Sequence, residues 1–322
     1  MSFVTRIFSA VIVFISFLLS ILGSLFGIGG SNPPEVTEPS TTQESTAEIS
    51  TTARAEATTQ AAVESALKIR IGTAQVGFGI NEQSVVAAMG QPTERLVESQ
   101  KDGKSIVSLV YADDYSKLAI FQIFNNSLSG FYTVNKEAVI SDKSSSYSLG
   151  NTASKDSVDI TICEYKDSLN SDKVYAFHAF FNDFSYRTAN LSDFKNQSVI
   201  NFYVVNALRA INGIAPLEYC EKAEAAIKLH CEDMAKNNYF DHTALDGSSC
   251  LDRMIAQGVS LTACAENIAI GCINAYDFAD AWYNSEGHRN SMLDAKYDHI
   301  GVGFAVSESG TAFSGQNYYK SV

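Results

Sequence analysis

A chain of 322 residues with 46% hydrophobic side chains has material for two modest folded domains plus extensions. Its 36 acidic against 23 basic residues leave a net charge of −13, which excludes nucleic acid as the expected partner, because a phosphate-backbone binder needs a basic face. The charge suits divalent cations or a cationic surface, or serves solubility alone.

Residues Ile7 to Ile28 form an uncharged apolar run interrupted only by Ser, Ala and Gly, long enough to cross a bilayer. Arg6 precedes it, which predicts a single-pass membrane protein with its C-terminus outside the cell. A cleaved signal, giving a secreted protein, is the rival reading. The run is longer than a usual signal core, however, and no A-x-A-like site follows it. Residues 1–30 are therefore read as a membrane anchor or signal. Residues 31–66 are dominated by Ser, Thr, Glu, Ala and Pro and contain no aromatic residue. They cannot bury enough apolar surface to offset their ordering entropy and are read as a disordered Ser/Thr-rich linker.

A small α+β domain is expected over residues 67–190. Ser84 to Met89 reads as a short helix stopped by Gly90-Gln91-Pro92. Ile106 to Tyr111, Leu118 to Phe124, Phe131 to Val134 and Tyr175 to Phe181 read as strands, with a turn at Asn125-Asn126. Ala176 to Asn182 echoes Ala119 to Asn125, which hints at a duplicated α+β unit. His178 alternates with aromatics and reads as a packed structural histidine. No His, Asp, Glu and Cys set converges here, so the domain is expected to be a spacer or binding module.

After Ser198 the pattern turns helical. Ile200, Val204, Leu208 and Ile211 make one apolar stripe, ended by Gly213 and Pro216. A second helix is expected from about Cys220 to Asn238, with Ala223, Ile227, Cys231 and Met234 on one face. A third covers Cys250 to Gln257 and a fourth Tyr276 to Ser285. Two strand-like runs, Ile300 to Val306 and Thr311 to Tyr319, close the chain. Helices preceding the strand pair suit a layered α+β domain.

The six cysteines all lie in the second half of the chain. Cys220 and Cys231 share one predicted helix, roughly 16 Å apart along its axis, and cannot pair while it is intact. Cys264 and Cys272 bracket a short loop and are the candidate pair; free buried thiols are the equal alternative.

Four ionisable side chains stand out. His242 follows Tyr239-Phe240-Asp241, Glu266 lies in an expected loop Ala265 to Ala269, and Glu286 and His288 flank Gly287 where a glycine turn would end the fourth helix. Two imidazoles and two carboxylates can pair by hydrogen bonds or ligate a divalent ion such as Zn2+. If they converge, the carboxylates should raise the pKa values of His242 and His288. Asp241 is a candidate acceptor behind a site histidine. Arg289 is expected to make an ion pair fixing the last helix, Trp282 to sit in the core, and His230 and His299 to have no site role.

The ordered set Asp233-Met234-Ala235, Tyr239-Phe240-Asp241-His242, Ala265-Glu266-Asn267-Ile268-Ala269, Trp282, Ser285-Glu286-Gly287-His288-Arg289, Met292-Leu293 and Ile300-Gly301-Val302-Gly303 resembles a CAP (SCP) domain of bacterial type. The likeness covers about residues 198–322. Upstream, Ile71-Gly72-Thr73, Gly90-Gln91-Pro92 and the strand pair around Tyr111 and Tyr115 resemble a CAP-associated N-terminal domain. The resemblance implies an α-β-α sandwich with a central antiparallel sheet, the CAP fold. It also implies a cleft tetrad of His242, Glu266, Glu286 and His288, which binds divalent metal in some members, with His242 and His288 as ligands. Ala265 stands where the family usually has Gly, so the turn presenting Glu266 would lack a residue free to take positive φ. Ser291 stands where Asn is usual.

The expected function is that of a non-enzymatic binding module in the bacterial cell envelope, with a cell-wall, protein or lipid ligand. The alternative is a metal-dependent extracellular hydrolase with zinc on His242 and His288 and a glutamate as general base. The chain has no nucleophile elbow and no H-E-x-x-H.

Overall fold

Runs of β-branched and aromatic residues lay down the N-terminal half as sheet. The structure, a computed structural model, describes residues 67–142, 146–149, 160–181 and 190–322. The expected membrane segment and linker lie outside them, and among the described residues no helix is long and apolar enough to cross a membrane.

The first half runs β1 (Lys68–Ile71), β2 (Ala74–Gly77), α1 (Glu82–Met89), β3 (Glu94–Ser99), β4 (Ser105–Tyr111), β5 (Ala119–Phe124), β6 (Ser127–Thr133), β7 (Ala138–Ser141), β8 (Ser146–Ser148), β9 (Ile160–Asp167) and β10 (Lys173–Phe181). Two antiparallel sheets result, ordered β2-β1-β7-β8 and β3-β4-β5-β6-β10-β9. Helix α1 starts where Asn81 accepts from the Ser84 N–H and stops at Gly90, whose φ of 85° ends the helical path. Asn125 and Asn126 make the β5–β6 turn with φ of 50° and 60°, the left-handed region that Asn tolerates. The two echoing segments fall on β5 and β10, which pair with β6 on its two sides. The described residues of this half hold no second α-helix to complete a duplicated unit. His178 is buried as expected, its Nε2 2.6 Å from the Gln122 Oε1, and burial pushes it down to about 3.

The second half runs α2 (Lys195–Ile211), β11 (Glu218–Tyr219), α3 (Glu221–Asn237), α4 (Cys250–Ala256), β12 (Leu261–Ile270), α5 (Ala275–Tyr283), α6 (Glu286–Leu293), β13 (His299–Val306) and β14 (Ala312–Ser321). Its sheet has the order β11-β13-β14-β12, antiparallel except for the short parallel β11–β13 pair. Strand alternation sorts β13 between two layers. Ile300, Val302 and Phe304 face α2 and α5, joining Ile200, Val204, Leu208, Phe278 and Trp282 in one core. Gly301 and Gly303 face α3, whose backbone comes so close that a Cβ on Gly301 would lie 2.1 Å from the Glu224 nitrogen. The expected α3 face, Ala223, Ile227, Cys231 and Met234, is the one buried there.

Three local expectations are corrected. Ala265 to Ala269 is not a loop: it lies within β12, with Glu266 opposite Asn317 of β14, so Ala265 needs no positive φ. Glu286 and His288 do not end a helix on a glycine turn; they open α6, with Gly287 inside it. Cys264 and Cys272 do not pair; each is a free thiol. Cys264 packs in the cluster with Ala223 and Met254 and Cys272 against the main core, so the two lie on different faces of the sheet.

The two halves share a hydrophobic core, in which Tyr132 and Tyr276 stack 4.4 Å apart. The β9–β10 hairpin also grips α5 and α6 through polar contacts. The Tyr165 and Tyr175 hydroxyls donate to Asp277 and Asp280, and Asp167 accepts from Arg289, which stacks 3.8 Å above the Tyr283 ring. Arg289 is thus the expected ion pair, with its partner in the other half of the protein. Asp167→Ala would leave a largely buried guanidinium without its carboxylate and is expected to cost about 2–3 kcal/mol. Urea unfolding measures that loss, and faster amide exchange across α6 would locate it.

Candidate functional site

Glu266 sits on β12 with its side chain only 3% exposed, and both carboxylate oxygens are engaged. Oε1 lies 2.9 Å from His242 Nδ1, and Oε2 accepts from Arg253 Nη2 at 2.6 Å. Arg253 comes from α4, a short helix started by a capping box between Ser249 and Asp252. The same guanidinium donates to the backbone carbonyls of Ser248 and His242. One side chain therefore holds both the buried carboxylate and the loop that carries the histidine.

That loop is tied down from behind as well. Asn238 ends α3 in the left-handed conformation. His230 Nε2, on the buried face of α3, hydrogen-bonds the Asp241 carbonyl at 2.9 Å, and the Asp241 side chain accepts from the Thr243 N–H. Asp241 thus shapes the turn instead of standing behind a site imidazole. His230, expected to be idle, positions the segment from which His242 projects. The His242 side chain is 58% exposed, and its Nε2 has no protein partner among the described residues.

His288 stands near on α6. Its Nδ1 is 2.8 Å from the Ser285 Oγ, and its carbonyl accepts from Asn267, the residue after Glu266. Glu286 is exposed in the first turn of α6. No hydrogen bond or ion pair joins it to His242, Glu266 or His288 among the described residues. A carboxylate there complements the helix N-terminus.

The two imidazoles differ electrostatically. The hydrogen bond to Glu266 raises His242, as expected. His288 is not raised but lowered, first by burial and then by the charge of His242, because no carboxylate reaches it. His242 therefore stabilises the fold below the unfolded imidazole value of about 6.5, and that contribution fades as pH rises through its own higher pKa. His288 works oppositely, opposing folding as pH falls below the unfolded value. NMR titration of the two rings is expected to give His242 above and His288 below a free histidine; coincident midpoints would show that Glu266 does not pair with His242.

The donor set does not fit a resident metal as it stands. Among the described residues no three His, Cys, Asp or Glu groups are placed to hold one ion. Both Glu266 oxygens are already engaged, by His242 and Arg253, and each imidazole offers one free nitrogen at most. Sequence reasoning missed Arg253 and His230. The signal available for Arg253 was its place in a capped helix just ahead of the Glu266 strand.

The profile of the cysteine-rich secretory protein (CAP) family matches residues 202–318. The protein YkwD of Bacillus subtilis is 38% identical over 106 residues, 33% of this chain and 41% of that protein. The membrane protein YlbC of Bacillus subtilis is 36% identical over 100 residues, 31% of this chain and 29% of that protein. The matched segment thus spans less than half the length of either relative. An extracellular protein containing an SCP domain from Bacillus anthracis shares the fold with a TM-score of 0.60 at 18% identity, covering 75% of this chain and 93% of its own. A cysteine-rich secretory protein from Staphylococcus aureus gives 0.53 at 14% identity, covering 75% and 91%. Both likenesses extend well beyond residues 202–318. With layered fold and sequence in agreement, residues 202–318 are a CAP domain.

Proposed function

We propose that the protein is a surface-displayed, non-enzymatic binding module of the cell envelope, with His242 as the principal polar contact to its ligand. The carrying observation is the buried Glu266 carboxylate, fixed by Arg253 and orienting a half-exposed imidazole whose Nε2 has no protein partner among the described residues. A histidine held this way presents a donor or acceptor without the entropy cost of ordering it on binding. Phe240, Leu245, Leu251 and Ile255, on the same loop and helix, are exposed apolar side chains. They suit a ligand with an apolar part beside its hydrogen-bonding group. Residues 1–30 would tether the chain, 31–66 would act as spacer, and 67–190 would serve as the CAP-associated domain bracing α5 and α6.

The hydrolase alternative has less support. Its general base would have to be Glu266, whose oxygens already accept from a guanidinium and an imidazole, or Glu286, which nothing orients. Among the described residues the donors do not gather around one point, which gives a metal-dependent step no support.

The test is retention of the full chain on purified cell-wall and membrane fractions, with and without chelator, comparing wild type with His242→Ala. Retention indifferent to chelator and weakened at least about tenfold, the value of one good polar contact, supports the proposal. Equal retention of His242→Ala removes the cleft as the contact. Loss of retention with chelator makes the site a metal centre, and release of wall fragments over time makes the protein an enzyme.

A further inference from the structure

We propose that Cys250 and Cys264 are a disulfide site that locks α4 onto β12 behind the candidate cleft once the protein meets an oxidising compartment. The geometry comes from the ion pair between the same two elements. Arg253 lies one helical turn along α4 from Cys250, and Glu266 lies on the same face of β12 as Cys264, one strand repeat away. Because Arg253 and Glu266 meet at 2.6 Å, the helix and strand faces are opposed there, and the cysteines form the neighbouring rung. Both thiols pack against Ala223, Ala226, Met254, Val259 and Tyr319. Each is close enough to influence the ionisation of the other, and the Cys250 thiol donates to Asn317 Oδ1 on β14 at 3.2 Å.

The pairing fits the surface location proposed above, though its chemistry can be tested without it. The oxidant is an exchanging disulfide, small-molecule or protein-borne. The Cys250 thiol keeps its proton in the hydrogen bond to Asn317 Oδ1, which leaves Cys264 as the sulfur that ionises first. The Cys264 thiolate attacks one sulfur of R–S–S–R, forming a mixed disulfide and releasing one thiolate. Cys250 then loses its proton and attacks the Cys264 sulfur, expelling the second thiolate. Two protein thiols lose two protons and two electrons, and R–S–S–R is reduced to two RSH. Burial raises both thiols above their ordinary range, so exchange is slow and the finished bond is shielded from reductants. The closed loop is short, its ends already in place, and the bond restrains the strand that presents Glu266 to His242.

The remaining thiols are placed differently. Cys231 is fully buried and directed at the Gly303 carbonyl, 3.8 Å away, and Cys272 lies on the opposite face of the sheet. Cys220 borders the same cluster beside Tyr319 and is the competitor to exclude.

The experiment uses the full chain, purified reduced in detergent and incubated folded with oxidised glutathione. It is then alkylated, digested and analysed by mass spectrometry. The expected result is a Cys250–Cys264 linked peptide with both sites protected from alkylation. Reduction should then lower Tm by on the order of 5–10 °C, a dependence absent from the Cys250→Ser, Cys264→Ser double variant. Free alkylation of both thiols in folded protein overturns the proposal, as does a link from Cys264 to Cys220. A correct link with unchanged Tm overturns the lock. Oxidation in vitro separates this from surface display: a chain that cross-links yet is found inside the cell would sink the display reading and leave the disulfide standing.

Discussion

Gly301→Ala is expected to be the most damaging small substitution in the CAP domain, lowering its stability by at least about 3 kcal/mol. The added Cβ would meet the Glu224 nitrogen at 2.1 Å and the Ala223 carbonyl carbon at 2.2 Å. Both are backbone atoms in the first turns of α3, so no side-chain rotation relieves the clash. The helix must lift off β13, which would open the layer holding Ala223, Ile227 and Met234. Gly287→Ala is the control. A Cβ there has nothing within 4 Å, and the position is helical, so the change is expected to be neutral or stabilising by up to about 1 kcal/mol. Chemical denaturation of the two variants decides it. Equal stability at Gly301→Ala would mean that α3 does not lie against the sheet as described.

Elements with strong periodicity were legible in the sequence, and those built from small residues were not. The stripe Ile200, Val204, Leu208 fixed α2, and the β-branched and aromatic runs Ile106 to Tyr111 and Leu118 to Phe124 marked β4 and β5. By contrast β12 reads Leu-Thr-Ala-Cys-Ala-Glu-Asn-Ile-Ala-Ile, where alanines blur the alternation and only pairing with β14 makes it a strand. The site followed the same division. His242 and Glu266 were legible as a pair of chemistries, and their contact forms. Glu286 was expected beside them, but the helix it opens points its carboxylate to solvent, where it serves the helix end. Arg253 could not be placed, because its role depends on α4 docking against β12. That docking is a tertiary event with no local signature beyond the cap at Ser249.

Arg253→Ala is expected to cost about 3 kcal/mol or more, because it leaves Glu266, with its side chain 3% exposed, as a buried carboxylate with only a half-exposed imidazole as partner. The guanidinium also holds the Ser248 and His242 carbonyls, so the segment between α3 and α4 should exchange its amides faster. The charge effects separate a lost clamp from general unfolding. Arg253 lowers His242 while Glu266 raises it. Removing the arginine should therefore raise the His242 midpoint further in protein that remains folded, whereas Glu266→Gln should bring it down. The pair of substitutions destabilises alike but moves the histidine in opposite directions, which a loosened fold alone would not do. If both variants shifted His242 the same way by NMR, the Arg253–Glu266–His242 chain would not be the unit that presents the imidazole. Retention on envelope fractions should follow the geometry: Glu266→Gln, which removes the charged acceptor from His242, is expected to weaken it at constant pH even where His242 remains in place.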